Sequence, residues 1–437
     1  MENNGSMLKS PDKRMAEKKK SSGKSTFNRL NQWLHLWLGL ISGIIVFVVC
    51  LTGTLFVFHD EVNEFVNRRA LTVDVPQNAV RVPADSIIAN MRQAYPGVAV
   101  SGYTVFRDPS RSIHMMCFNR DDKRPYRGMG SAYANPYTGQ IIKVDYTYGI
   151  FRWLAAIHTN LLLDKTGTHM VEIATVIFLI ELITGLIWWW PKKWTKAARE
   201  KSFKIKWNAK WRRVNIDLHN VLGFYSLVLA IVLTVTGLIL SYEPVKKIFF
   251  IAFGGNADQK PVYQMLPKAD SLKTPLPLEY FVNKYSGRYP DYRLISSSVP
   301  GPRSGAVTVK VAHETSMVTY RGKIFYLDAY TGKAIDLPEE AVKNARYMNM
   351  NIALHIGTWY GLPAKILTFI VCLICTSLPV TGFIIWLGKK KKGKKREELP
   401  VRAVPENAIP GTGRPAPRAA PGFRPGLPGK KRTGSPG

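Results

Sequence analysis

Four stretches of this chain are almost free of charge and stand out against strongly polar surroundings. They cover 36–58, 171–190, 221–242 and 366–387. Only the second holds acids, Glu172 and Glu181. Each run reaches about 20 residues, the length that crosses a hydrocarbon core of ~30 Å as a helix. Helices that are apolar on every face are seldom found on soluble domains. The pattern therefore predicts four transmembrane helices.

Between spans 1 and 2, and again between spans 3 and 4, the pattern changes to that of a soluble α+β unit. Each stretch opens with a helix-like segment ending in Tyr-Pro, at 84–96 and 278–290. Alternating strand-like runs follow at 111–117, 306–311 and 323–328. Each closes on a Tyr-Thr-Gly turn, Tyr137-Thr138-Gly139 or Tyr330-Thr331-Gly332. Tyr95 lies 43 residues before Thr138, and Tyr289 lies 42 before Thr331. The expected fold class is an α-helical membrane protein with four transmembrane helices in two repeated hairpins, plus two small α+β domains outside the membrane.

Charge supplies the orientation. The 437-residue chain carries 61 Lys+Arg against 30 Asp+Glu, a net charge of +31. Residues 1–34, 191–218 and 388–437 together hold 32 of the basic residues and only 8 of the acids. The positive-inside rule puts all three on the cytoplasmic face and both α+β units on the far side. The basic excess then reads as topology and attraction to anionic lipid. No aromatic-interleaved module accompanies it, so nucleic acid is not expected as a partner. The aromatic content, 11%, excludes a disordered chain, and four Cys exclude a disulfide scaffold. Cys372 and Cys375 resemble a redox pair but lie in an apolar run with no thiol framework, and read as small core residues. The first span reads as an uncleaved signal anchor, and the Pro/Gly/Lys-rich tail as disordered.

The expected organisation is a basic N-terminus (1–28), TM1 (29–60), an outer domain (61–150), an outer helical segment with TM2 (151–190), and a basic loop (191–212). TM3 (213–243), a second outer domain (244–345), an outer segment with TM4 (346–388) and the tail (389–437) complete it.

A duplication runs through the membrane segments and singles out histidines. Arg29, Asn31, Leu34, His35 and Gly39 recur in register as Arg213, Asn215, Leu218, His219 and Gly223. His35 and His219 each precede a Thr-Gly pair by 17 residues, at Thr52-Gly53 and Thr236-Gly237. His158 and His355 each precede another by 26, at Thr184-Gly185 and Thr381-Gly382. His59 and His169 align with Glu243 and Ile366 and have no mate. Taken singly, a histidine at a span end is an interfacial anchor. Two matched pairs, one per membrane face, suit axial ligation of two haem irons within a helix bundle. Gly39, Gly43, Gly53, Gly223 and Gly237 are candidates for letting a flat macrocycle approach the backbone. Arg29 and Arg213 could meet haem propionates, and Arg152 and Arg346 precede the outer histidines similarly. Glu181 is an intramembrane acid, open to a proton-relay or quinol-site reading or to a helix–helix hydrogen bond.

With these residues in place, the chain resembles the PepSY-associated transmembrane family from Arg29 to about Lys390. The resemblance rests on the Arg-x-Asn-x-x-Leu-His segments, Ile157-His158 and Leu354-His355, the Thr-Gly pairs and the Tyr-Thr-Gly turns. It implies an inner-membrane protein with two b-type haems and PepSY-like periplasmic domains. Electrons would pass from the cytoplasmic face to a periplasmic ferric chelate such as a ferric siderophore. His35 and His219 would ligate the cytoplasmic-side haem, and His158 and His355 the outer one. No flavin or nucleotide motif is present in the sequence, so the donor is expected to be quinol or a separate reductase. The competing expectations are a haem-free PepSY sensor of periplasmic peptides or proteases, or an accessory component of metal or siderophore transport. One difficulty is visible in advance. His158 lies 13 residues before Val171, about 20 Å along a continuous helix. A fold-back near 164–167 resolves it; otherwise His59 and His169 are the fallback outer ligands.

Overall fold

The computed structural model describes residues 26–119, 128–300, 304–313 and 322–397. The tail expected to be disordered from 389 is helical as far as Glu397, and its remainder lies outside the described residues, as does most of the basic N-terminus.

Among the described residues, four helices are long and apolar enough to cross a membrane: α1 (Thr26–Phe56), α5 (Asp164–Trp189), α7 (Trp211–Ser241) and α12 (Gly361–Glu397). Large apolar side chains on their outer faces, such as Ile44 at 78% exposure and Val228 at 72%, have no protein neighbour to cover them. That is the surface expected of a helix solvated by lipid, where outward Ile and Val carry no penalty. The inner faces carry Leu182, Leu227, Ala230, Val371 and Cys375, with Cys50 packed against them. Cys50 and Cys375 are thus core neighbours, in keeping with the reading of these cysteines as small packing residues.

Short helices continue the spans. The first is α2 (His59–Asn67), which follows α1 and leads through a 3-10 turn (Arg68–Ala70) into the first α+β unit. That unit contains α3 (Ala84–Ala94) and the antiparallel strands β1 (Val98–Phe106), β2 (Ile113–Asn119), β3 (Met129–Ala134) and β4 (Ile141–Asp145). The outer segment α4 (Thr147–Asn160) then precedes α5, and α6 (Lys196–Phe203) lies between α5 and α7. Past α7 come α8 (Glu243–Ala252), α9 (Val262–Met265) and α10 (Leu278–Arg288). The strands β5 (Leu294–Ser298), β6 (Ala306–Ala312) and β7 (Lys323–Asp328) and the helix α11 (Glu339–His355) lead to α12.

The two α+β units share one seven-stranded sheet, in the order β4-β3-β2-β1-β5-β6-β7. Residues Gly102 to Phe106 of β1 pair with Leu294 to Ser298 of β5, which joins the units edge to edge and leaves neither inner edge unpaired. One face of the sheet is covered by α3 and α10, through Ile87, Ile88 and Met91 on one side and Phe281 and Tyr285 on the other. Both helices begin after a proline, Pro83 or Pro277, with no cap from their own chain segment. Each caps the other instead. The amide of Ala84 donates to Glu279 at 2.8 Å, and that of Leu278 donates to Asp85 at 3.1 Å. An acid at a helix N-terminus satisfies a free amide and opposes the positive end of the helix dipole.

The Tyr-Thr-Gly turns form as expected. Asn135 Oδ1 accepts from the amides of Tyr137 and Thr138, and Asp328 Oδ1 accepts from those of Tyr330 and Thr331. Gly139 and Gly332 close them at φ of +72° and +67°, a conformation costly for a residue with a Cβ.

Candidate functional site

Each of the four repeat-matched histidines sits in a socket made by a Thr-Gly pair on a neighbouring helix. His35 of α1 faces Thr184-Gly185 of α5, with Nδ1 3.1 Å from Thr184 Oγ1. His219 of α7 faces Thr381-Gly382 of α12, at 2.9 Å from Thr381 Oγ1. His355 of α11 faces Thr236-Gly237 of α7, at 3.0 Å from Thr236 Oγ1. His158 of α4 faces Thr52-Gly53 of α1, at 3.4 Å from Thr52 Oγ1 and 2.9 Å from the Val49 carbonyl.

The glycine of each pair makes room for the ring. A Cβ added at Gly237 would stand 3.0 Å from His355 Cε1, and at Gly185 3.1 Å from His35 Cε1. The corresponding distances are 3.2 Å for Gly53 to His158 and 3.4 Å for Gly382 to His219. The glycines singled out for macrocycle clearance have protein neighbours. Gly53 and Gly237 receive histidine rings, while Gly39, Gly43 and Gly223 are met by Glu181, Pro379 and Leu378. They set helix spacing within the protein.

The threonine decides the tautomer. A hydroxyl has one proton to give. Thr236 gives it to the carbonyls of Val232 and Leu233, at 2.7 and 3.0 Å; Thr52 and Thr381 bond to their own helix in the same way, and Thr184 donates to Glu181 at 3.1 Å. Toward the imidazole each oxygen can then only accept, so Nδ1 is the protonated nitrogen. Nε2 is left with a free lone pair, the form in which histidine binds metal. Three sockets carry a brace besides. Asn31, Asn215 and Asn351, each one turn ahead of its histidine, donate to the carbonyls of Thr184, Thr381 and Thr236 at 3.0, 3.1 and 3.0 Å. The fourth has Leu154 at that position.

The sockets bring the histidines into two facing pairs. His35 and His219 have ring centroids 6.3 Å apart, and His158 and His355 6.1 Å apart. Each pair joins one histidine from the first half of the chain to one from the second. The fold-back needed for His158 is present. Helix α4 ends at Asn160, the chain reverses through Leu161 to Leu163, and α5 starts at Asp164. Gly167 is obligatory there, because a Cβ would fall 1.7 Å from the Asn160 carbonyl oxygen.

The fallback ligands are placed elsewhere. His59 is buried, with Nδ1 on the Phe56 carbonyl at 2.9 Å and Nε2 on Asp60 at 3.2 Å, so both nitrogens are engaged. His169 is exposed and pairs with Glu172 at 3.0 Å. Arg213 is held by the buried Asp217 at 2.8 Å, a partner that accounts for its charge without a propionate. Arg29, Arg152 and Arg346 are exposed. Glu181 accepts from Ser42 at 3.3 Å across the α1–α5 contact, one turn from the His35 socket.

Unforeseen in the sequence is an ion-pair network at the sheet end of the bundle. Lys365, 4% exposed, meets Glu61 at 2.9 Å and Asp60 at 3.3 Å, tying the start of α12 to α2. Its only signal in sequence is a lysine at the edge of an apolar run. Among the described residues, no three His, Cys, Asp or Glu side chains gather into a metal-ion cluster.

The model of the PepSY-associated TM region matches residues 32–389. The chain belongs to the PepSY-associated transmembrane family. All four histidines with their Thr-Gly sockets lie inside the matched region, and so do both α+β units. A search of curated proteins finds no match to the chain.

Proposed function

We propose that this family member is a dihaem reductase of the bacterial inner membrane, carrying electrons from the cytoplasmic face to a periplasmic ferric chelate such as a ferric siderophore. The observation that carries the reading is the pairing of the histidines. His35 with His219, and His158 with His355, would each hold one haem iron, which would supply reversible one-electron chemistry. The rings here stand 6.3 and 6.1 Å apart. Two imidazoles are a sparse set for a bare metal ion, whereas haem brings four nitrogens of its own and needs only axial partners.

Bound haem supplies reversible one-electron chemistry between Fe(III) and Fe(II), which needs no nucleophile or general base. The chain's contribution is to hold four imidazoles as the Nδ1-protonated tautomer, oriented by threonine and cleared by glycine. The two levels are separated along α1 by the 17 residues from His35 to Thr52, about 25 Å at 1.5 Å per residue. Two stations at that separation put one redox centre close to each face of a ~30 Å core. The matched Thr-Gly spacings in the two halves of the sequence support a duplication as the origin of four sockets of one plan. The basic charge of the termini and of the 191–212 loop supports a topology with His35 and His219 on the cytoplasmic side and the sheet in the periplasm. Quinol or a separate reductase then supplies electrons at the His35–His219 side. Reduction of a ferric chelate weakens its hard-oxygen coordination and frees the metal.

Haem stoichiometry tests the reading. Detergent-extracted protein from haem-replete cells is expected to carry two haems per chain by pyridine haemochrome, with a Soret band that shifts on adding dithionite. His219→Ala is expected to leave one. A colourless protein, or two haems retained in His219→Ala, rejects the proposal.

A further inference from the structure

The four sockets are alike in plan, but one departs from the others at three independent points. His158 alone lacks the asparagine brace, since Leu154 stands where Asn31, Asn215 and Asn351 stand elsewhere. Its contact to the socket threonine is the longest, 3.4 Å against 2.9 to 3.1 Å. It also precedes a turn that puts side chains in left-handed backbone: Leu161 at φ 54°, Leu162 at 60° and Asp164 at 48°. The turn after His355 uses Gly357 and Gly361 at its left-handed positions, where no Cβ opposes the conformation. The strained turn adjoins the unbraced socket, so relaxing one frees the other. The 2.9 Å bond from Nδ1 to the Val49 carbonyl is then the one short hydrogen bond that holds this ring to α1.

We propose that His158 is the releasable histidine of the four, so that the His158–His355 position can open to an exogenous axial ligand of small, neutral, π-accepting type. The inference rests on the dihaem reading for its ligand but not for its motion. Strained backbone persists at functional sites where surrounding contacts over-determine it, and here the polar contacts beside the turn reduce to the Val49 bond and the 3.4 Å approach of Thr52. His35 and His219, braced by Asn31 and Asn215 on long continuous helices, stay closed.

Carbon monoxide is the probe. Dithionite-reduced, two-haem protein is expected to form a CO adduct on one of its haems, and the His35→Ala/His219→Ala variant is expected to keep that response. Leu154→Asn supplies the missing amide, and one added hydrogen bond is expected to lower CO occupancy about tenfold. No adduct, an equal adduct on both haems, or an adduct unchanged in Leu154→Asn overturns the proposal. Hydrogen exchange on the wild-type chain gives a readout independent of haem. Amides at 155–163 are expected to exchange at least about ten times faster than those at 352–360. Equal protection overturns the proposal even if the protein is colourless, a result that separately rejects the dihaem reading.

Discussion

The four socket glycines form a graded series, and substituting each by alanine gives an ordered outcome. The added methyl would meet a histidine Cε1 at 3.0 Å in Gly237→Ala, 3.1 Å in Gly185→Ala, 3.2 Å in Gly53→Ala and 3.4 Å in Gly382→Ala. Carbon atoms rest at about 3.5 Å or beyond, so the overlaps fall from about 0.5 Å to about 0.1 Å. The neighbour in each case is a ring pinned by its Nδ1 contact, which cannot yield without losing that bond. Overpacking of this kind costs about 1–3 kcal/mol, and the lost hydrogen bond about 1 kcal/mol more. A ring displaced by half an ångström also no longer aims Nε2 at its partner. Gly237→Ala is therefore expected to lose the haem between His158 and His355 and keep the other, while Gly382→Ala stays near wild type. Gly185→Ala and Gly53→Ala fall between them. The assay is haem per chain by pyridine haemochrome on protein matched for monodispersity, read with the Soret amplitude. If Gly382→Ala is as damaging as Gly237→Ala, or Gly237→Ala keeps two haems with an unchanged spectrum, the socket reasoning fails.

Three further outcomes are expected. Thr236→Val keeps the shape of its socket but removes the acceptor for His355 Nδ1; haem retention at that pair should weaken about tenfold, measured by transfer to apomyoglobin, with the other pair unaffected. Lys365→Met removes the ammonium that Glu61 and Asp60 share, with His59 still beside Asp60, and should lower stability by about 1–3 kcal/mol, a moderate figure because Glu61 is partly exposed, as read by thermal unfolding in detergent. His114, half-buried in the sheet with Nε2 on Ser131, has its pKa pushed down to about 4 by burial and then by Arg111. The unfolded chain binds this proton near pH 6.5 and the folded one does not, so stability falls as pH drops from 6.5 toward 4. Between pH 6.5 and 5 the loss is at most about 2 kcal/mol. Hydrogen exchange of β2 and β3 amides at the two pH values checks this, and His114→Gln should flatten the dependence.

Chain order alone was enough to find the four spans, because crossing a membrane demands unbroken apolar length and nothing from the rest of the fold. The helices at Ala84–Ala94 and Leu278–Arg288, the strand at Lys323–Asp328 and both Tyr-Thr-Gly turns were equally legible, since period and turn chemistry are local. The histidines could be picked out through their repeated spacing to Thr-Gly. Partnership was a different matter. The edge-to-edge pairing of β1 with β5 makes one sheet of two units, and depends on contacts almost 200 residues apart in sequence. That His35 finds Thr184 rather than the Thr52 of its own helix follows from helix packing, which carries no local signature. The reversal was legible near 164–167, but its place at Leu161–Leu163, and the close approach of Gly167 to Asn160 that permits it, are visible only in three dimensions. Spacing named the four histidines; packing assigned each its socket, its tautomer and the histidine it faces.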